Sequence, residues 1–236
     1  MTSSLRDIKV YTTHPHSCSY LEDQEATTLF VDPRQPVDKV LYSKLSTLGF
    51  RRSGDHIYRP HCAQCEACIP ARIPVCGFTP SRGQKRIWQR NQDLRIVSTD
   101  EIRDEEAFDL YRRYISVRHS DGDMYPPERE QFEAFLKSVW GCTRYFRFYD
   151  KAQLVAVAVV DALEDGLSAI YTFFDPEVTK RSLGVYGILW EVEHTRELGL
   201  EYLYLGYWIQ NCQKMAYKSD YRPLQVYANN RWTTLL

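Results

Sequence analysis

Beyond residue 100 the chain sorts its apolar and polar positions into two clear periods. Ala107, Leu110, Tyr111 and Tyr114 recur at helical spacing, which predicts a helix over 101–117. A second helix is expected over 129–139, starting just after Pro126-Pro127. The period then shortens. Stretches 143–149, 154–161 and 167–174 are β-branched and aromatic, and the turn signals Asp150-Lys151 and Glu164-Asp165-Gly166 part them, so they read as successive strands. Residues 183–198 form an amphipathic helix closed at Gly199, and 201–205 one more strand.

Before residue 100 the pattern is less regular. One helix is expected over 37–48, stopped by Gly49, in a region otherwise rich in Cys, Pro and Arg. The composition shift near 96–104 suggests two parts: a mostly irregular N-terminal region over 1–100 and an α+β domain over 101–236. Helix pair, antiparallel strands, helix, strand is the element order of N-acetyltransferase-like acyltransferases. In that order two central strands splay and admit an acyl donor beside a helix start, an analogy of fold that assigns no reaction.

Composition narrows the classes. A chain of 236 residues with 44% hydrophobic and 14% aromatic residues supports a substantial core, which excludes a disordered or fibrous protein. Runs such as 154–160 fall far short of the roughly 20 residues needed to span a bilayer, and residues 1–11 show no signal peptide. A cytoplasmic protein without a membrane partner is therefore expected. Seven cysteines, an odd number, suit thiols or metal ligands better than a disulfide framework. Net charge is only −1, but its distribution is uneven: residues 51–95 hold nine Lys/Arg against three acids, and 100–133 eleven acids against five bases. A localised anion-binding surface and a pair of solvated faces explain this equally well.

Four places carry candidate chemistry. The helix start at Ser182–Gly184 would offer unpaired N–H groups to a phosphate or an oxyanion, although Gly184 is also explained as helix packing. Tyr186 stands where a CoA-binding turn needs a small residue. Cys62, Cys65 and Cys68, with distant Cys18, have the spacing to hold zinc or an iron–sulfur cluster; buried free thiols are the equal alternative. Arg82, Gln84, Lys85, Arg86 and Arg90 interleave with Trp88, as in a surface for nucleic-acid phosphates, or form a solvated face. Finally, residues 206–223 are dense in polar aromatics and cations, including Tyr207, Tyr217, Lys218, Tyr221 and Arg222, and read as the wall of a polar pocket.

At these residues the chain resembles the N-end-rule aminoacyl-tRNA–protein transferases, in particular the bacterial leucyltransferase branch. The resemblance is carried by Pro15-His-Ser-Cys18-Ser-Tyr20, Gly49-Phe-Arg51-Arg52-Ser53-Gly54, Cys65-x-x-Cys68-x-Pro70-x-Arg72, Tyr171-Thr-Phe-Phe-Asp175-Pro176 and Ser182-Leu183-Gly184. The longest motif is the last, Leu205-Gly206-Tyr207 through Tyr217-Lys218 to Tyr221-Arg-Pro223. It implies transfer of leucine, or alternatively arginine, from charged tRNA to proteins with N-terminal Asp or Glu, marking them for degradation, with no cofactor required for the chemistry. Asp175 is then the candidate to hold or deprotonate the acceptor amine, and Ser182, Gly184 and Tyr207 to steady the oxyanion or ribose. Arg72, Tyr171, Tyr217, Lys218, Tyr221 and Arg222 are candidates for the acceptor. Two other readings compete: a CoA-dependent N-acetyltransferase, and a non-catalytic metal- and RNA-binding module. Oligomeric state is open.

Overall fold

A computed structural model describes residues 8–235; the first seven residues, part of the stretch read for a leader, lie outside it. The N-terminal part builds a small layer. Strands β1 (Val10–Thr12) and β4 (Thr28–Val31) join β5 (Arg51–Ser53) and β6 (His56–Pro60) in a four-stranded sheet of order β1-β4-β6-β5. Between β1 and β4 lies a two-stranded pair, β2 (His16–Ser17) and β3 (Glu25–Ala26). Helix α1 (Lys39–Thr47) follows β4, its first turn capped by the Asp38 carboxylate on the Leu41 amide. The cysteine-bearing stretch 61–68 has no regular structure.

The main body is an eight-stranded mixed sheet. Along the chain come β7 (Ile69–Pro74), α2 (Arg82–Arg90), β8 (Arg95–Thr99), α3 (Glu105–Arg118) and α4 (Arg129–Leu136). Then follow β9 (Thr143–Asp150), β10 (Gln153–Ala162), β11 (Gly166–Phe174), α5 (Leu183–Glu197) and β12 (Tyr202–Trp208). The short α6 (Gln213–Ala216) and a C-terminal hairpin of β13 (Leu224–Ala228) and β14 (Arg231–Leu235) complete it, in the order β14-β13-β7-β12-β11-β10-β9-β8. The helix pair, the strands and the long helix expected after residue 100 are present within a few residues of their read positions. The sheet nevertheless takes β7 and β8 from before residue 100, so the composition shift is not a boundary of the sheet.

Both sheet faces are covered. On one, α2 and α5 bury Val155, Ala158, Leu189 and Leu203; on the other, α3 and α4 bury Leu110, Phe132, Val157 and Phe173. This double cover explains why β10 is a nearly unbroken apolar run, since neither of its faces meets water. The small layer packs separately on Tyr42, Leu45, Ile57 and Tyr204. A buried ion pair welds it to the main sheet: Arg52 Nε lies 2.5 Å from Asp161 Oδ2, and both side chains are fully enclosed. Tyr42, Arg52 and Thr143 all donate to that carboxylate, and Arg52 also donates to the carbonyls at the end of α4.

Candidate active site

Strands β11 and β12 are the parallel neighbours at the sheet centre, and they pair only at Gly166–Tyr202, Leu167–Leu203 and Ser168–Tyr204. Past that point they part and leave a V. Two irregularities shape it. Ile170 has no partner on β10, and the pairing of β12 with β7 shifts between Tyr204 and Gly206, where Gly206 takes φ +76°. Arg51 of β5 reaches into the apex, donating from Nη1 to Ser168 Oγ at 2.6 Å and from Nη2 to the Ala169 carbonyl that β12 leaves unpaired. A side chain at position 206 would meet Arg51 Nε at 3.2 Å, so glycine serves both the backbone and the arginine. Ala169 to Thr172, although on a central strand, stay half-exposed because the V is open.

Helix α5 runs along one wall of this opening. Added β-carbons would meet Phe174 at 3.0 Å from Gly184 and Thr172 at 3.2 Å from Gly187, so both glycines bring the helix tight against β11. The first turn carries no side-chain cap, and Ser182 is left-handed at φ +51°. Its leading amides therefore face the mouth of the V, as expected of an anion or oxyanion cradle. Tyr186 points away from this turn, buried against Trp88 and Phe148.

The structure scatters the other sequence candidates. Asp175 is buried and tied: Arg113 Nη1 is 2.8 Å away, and Gln153 Nε2 and the Glu177 amide donate to it. Tyr207 donates to the Gly49 carbonyl at 2.9 Å and so links β12 to the small layer. Tyr171 donates to Met124 Sδ, and burial holds its hydroxyl far above the ordinary range. Tyr221 stacks on Phe78 in the core.

The three proposed acceptor cations differ sharply. The Arg72 guanidinium lies 3.4 Å from the Tyr202 ring and 4.3 Å from the Trp232 ring, and it donates to Gln225 and Tyr204. These contacts occupy it. Arg222 is exposed and donates to the Ser219 and Leu235 carbonyls. Lys218 is only 3% exposed, and its Nζ meets Met215 Sδ at 3.3 Å rather than an oxygen. Burial first, then the Arg51 charge, lower its pKa to about 7. Tyr217 is 44% exposed, its ring lies 4.9 Å from Lys218 Nζ, and burial of its hydroxyl pushes the pKa up to about 12.

Two residues that sequence reasoning assigned no role belong to this site, Arg51 and Glu191. Arg51 lay in a recognised motif. Glu191 had a visible signal: it falls among Gly187, Ile188, Val192 and Thr195 on the buried face of α5, where a carboxylate is out of place.

Beside the mouth lies the basic helix. Ser81 and Gln84 form a capping box at the start of α2, and Gln84 Nε2 donates to the Asp220 carbonyl, so Gln84 is structural. Arg82, Lys85, Arg86, Gln89 and Arg90 line an open groove of about 650 Å³. Arg181 donates to the Arg90 carbonyl and pairs with Asp93 and Asp150, which fastens this helix next to the start of α5. Cys18, Cys62, Cys65 and Cys68 are half-buried free thiols. Burial, with the neighbouring Cys18, Cys62 and Cys65 adding to it, pushes the Cys68 thiol up to about 12. Among the described residues, no three Cys, His, Asp or Glu side chains are arranged to hold a metal ion.

Comparison with known proteins shows which family the chain belongs to. Two family models match: "Arginine-tRNA-protein transferase, N terminus" over residues 16–86 and "Arginine-tRNA-protein transferase, C terminus" over 106–228. A Pseudomonas fluorescens (strain Pf0-1) protein named aspartate/glutamate leucyltransferase is 55% identical over 99% of both chains. One of the same name from Teredinibacter turnerae is 56% identical, covering 99% of this chain and 96% of its own.

Proposed function

From the premise that the chain belongs to the arginine-tRNA-protein transferase family and is an aminoacyltransferase, we infer that it moves leucine from charged tRNA onto proteins beginning with Asp or Glu. The observation that carries the reading is full-length identity above half to relatives bearing that name. The V fits it: an open acyl-transfer cleft, an uncapped helix start at its mouth and a basic helix alongside for the tRNA. No helix among the described residues is long and apolar enough to cross a membrane, and a cytoplasmic setting follows from the tRNA donor.

In the mechanism the acceptor's α-amine attacks the ester carbonyl that joins the amino acid to the terminal ribose. An aminoacyl ester is already activated and an α-amine titrates near pH 8, so positioning supplies much of the rate. The amides of Leu183 and Gly184 face the developing oxyanion, and Arg82, Lys85, Arg86 and Arg90 neutralise tRNA phosphates. Asp175 acts through Arg113 and Gln153 by holding the end of β11 in place. Cys18, Cys62, Cys65 and Cys68 are not arranged around a metal ion, and the transfer chemistry runs through none of them. The test is a transfer assay with leucyl- and arginyl-tRNA offered to peptides beginning Asp, Glu, Lys or Ala. Transfer of leucine to the acidic peptides alone is expected; arginine transfer, or equal use of Lys and Ala peptides, overturns the reading.

A further inference from the structure

The carboxylate of an N-terminal Asp or Glu needs a cation within a side chain's reach of the reacting carbonyl. Most cations around the V are taken. Arg72 is enclosed by Tyr202 and Trp232, Arg222 is anchored on Ser219 and Leu235, and Lys218 is buried against Met215 and the Tyr217 ring. Arg51 donates to Ser168 and Ala169, Arg113 pairs with Asp109 and Asp175, and Lys214 pairs with Asp121. Arg118 differs. It stands exposed in the last turn of α3, and among the described residues it has neither an ion pair nor a hydrogen bond; its guanidinium carbon lies 5.9 Å from the centre of the Phe174 ring. The nearby acids Asp121 and Asp123 face Lys214 and Ser19 instead.

The surface of α3 that carries Arg118 overlooks β11. Tyr114, one turn earlier, packs on Phe174 at 4.9 Å and on Tyr171 at 6.2 Å between ring centroids. Phe174 in turn ends β11 against the start of α5, its ring 3.0 Å from where a Gly184 β-carbon would stand. One aromatic ring therefore separates the free guanidinium from the amides that face the oxyanion. The side chain of Asp or Glu sets its carboxylate roughly 3–5 Å from its own α-amine, and a charge-assisted hydrogen bond adds about 2.8 Å, which spans that ring. Access agrees with this placing. Helices α2 and α5 cover one face of the sheet, α3 and α4 the other. The basic groove of α2 brings the tRNA to the first face, where the Lys180 carbonyl also meets Arg90. A protein acceptor must reach the same carbonyl without colliding with the tRNA, so it comes from the second face, where Arg118 stands.

We propose that Arg118 is the specificity-determining residue for the acceptor: its guanidinium pairs with the side-chain carboxylate of an N-terminal Asp or Glu while the α-amine of that residue meets the ester carbonyl at the Leu183–Gly184 helix start. This rests on the transferase reading above. The planar fork of arginine suits a carboxylate, and the Phe174 ring beneath it keeps the guanidinium over the end of β11. An amide in place of the carboxylate keeps the shape and loses the charge. An N-terminal Lys meets a like charge, which disfavours it.

The test compares wild type, Arg118→Ala, Arg118→Lys and Arg118→Glu with leucyl-tRNA and peptides beginning Asp, Asn or Lys. In Arg118→Ala the ratio of kcat/KM for the Asp-peptide over the Asn-peptide is expected to fall about tenfold or more, through the KM of the Asp-peptide and with the KM of leucyl-tRNA unchanged. Arg118→Lys keeps the charge without the fork and should restore part of the ratio. Arg118→Glu should use the Lys-peptide better than wild type does. Because the side chain is exposed, all three variants should melt within about 2 °C of wild type. An Asp-to-Asn ratio within about twofold of wild type in both Arg118→Ala and Arg118→Glu overturns the proposal. So does a loss confined to the KM of leucyl-tRNA, which would put Arg118 on the donor side. A wild type inactive with every aminoacyl-tRNA refutes the transferase reading instead. Direct binding of fluorescent Asp- and Asn-peptides to wild type and Arg118→Ala then decides: a preference for Asp lost in the variant supports the assignment, and the same preference in both refutes it.

Discussion

Replacing Asp161 by Asn should loosen the whole molecule, because Asp161 is where the small N-terminal layer is fastened to the main sheet. The carboxylate accepts from Arg52 Nε and Nη2 at 2.5 and 2.9 Å, from Tyr42 at 2.8 Å and from Thr143 at 2.7 Å. Asparagine keeps the shape but leaves the Arg52 guanidinium buried without a counter-charge. Breaking one side of a buried pair costs about 3–5 kcal/mol, against a total stability of roughly 5–15 kcal/mol. For a chain of this size that is a fall in melting temperature of about 6–20 °C. Urea unfolding followed by far-ultraviolet dichroism and by tryptophan fluorescence measures it. Trp140, which packs on Tyr42 at 4.9 Å between ring centroids, reports the joint itself. The double variant Arg52→Met with Asp161→Leu removes both charges and should recover most of the loss. A single variant within about 1 kcal/mol of wild type would show that the ion pair does not hold the layers together.

Other outcomes follow from the same structure. Burial raises the Glu191 pKa from 4.5 to about 8, so the native state keeps a proton that the unfolded chain releases; stability should fall as pH rises from about 5 to 7, by at most about 1.4 kcal/mol per unit. Glu191→Gln should flatten that slope in urea titrations, and an unchanged slope would show that the carboxyl is already ionised. Gly206→Ala, at φ +76° and against Arg51, should cost about 1–2 kcal/mol and impair transfer; a neutral result would show that the apex yields easily. Removing Arg82, Lys85, Arg86 and Arg90 together should reduce the log–log salt slope of tRNA binding by about one unit per lost phosphate contact, whereas an unaltered slope leaves α2 a solvated face. Elemental analysis of anaerobically purified protein tests the four cysteines, which are not arranged around a metal ion: metal below about a tenth of an equivalent is expected, and near one equivalent of zinc or a cluster's iron, lost in Cys68→Ala, would show that they close on one.

The sequence by itself determined the elements after residue 100, because each is governed by local periodicity. β10 announced itself as an apolar run and α5 by its 3.6-residue stripe closed at Gly199. The family was legible too, since motifs such as Tyr217-Lys218-x-x-Tyr221 are strings that need no coordinates. Strands β5 to β8 were not legible: three to six residues long and rich in Arg and Pro, they owe their form to pairing with distant strands. Nor could local pattern separate Arg72, Lys218 and Arg222, three cations of similar surroundings in sequence. Only the packing of Tyr202 and Trp232 occupies the first, only the backbone carbonyls of Ser219 and Leu235 anchor the third, and only the fold buries the second against Met215 and the Tyr217 ring. The site is made by side chains more than a hundred residues apart, Arg51 against Ser168 and Glu191 beneath the V, and what each can do there depends on desolvation and on its neighbours' charge, which only the folded chain supplies.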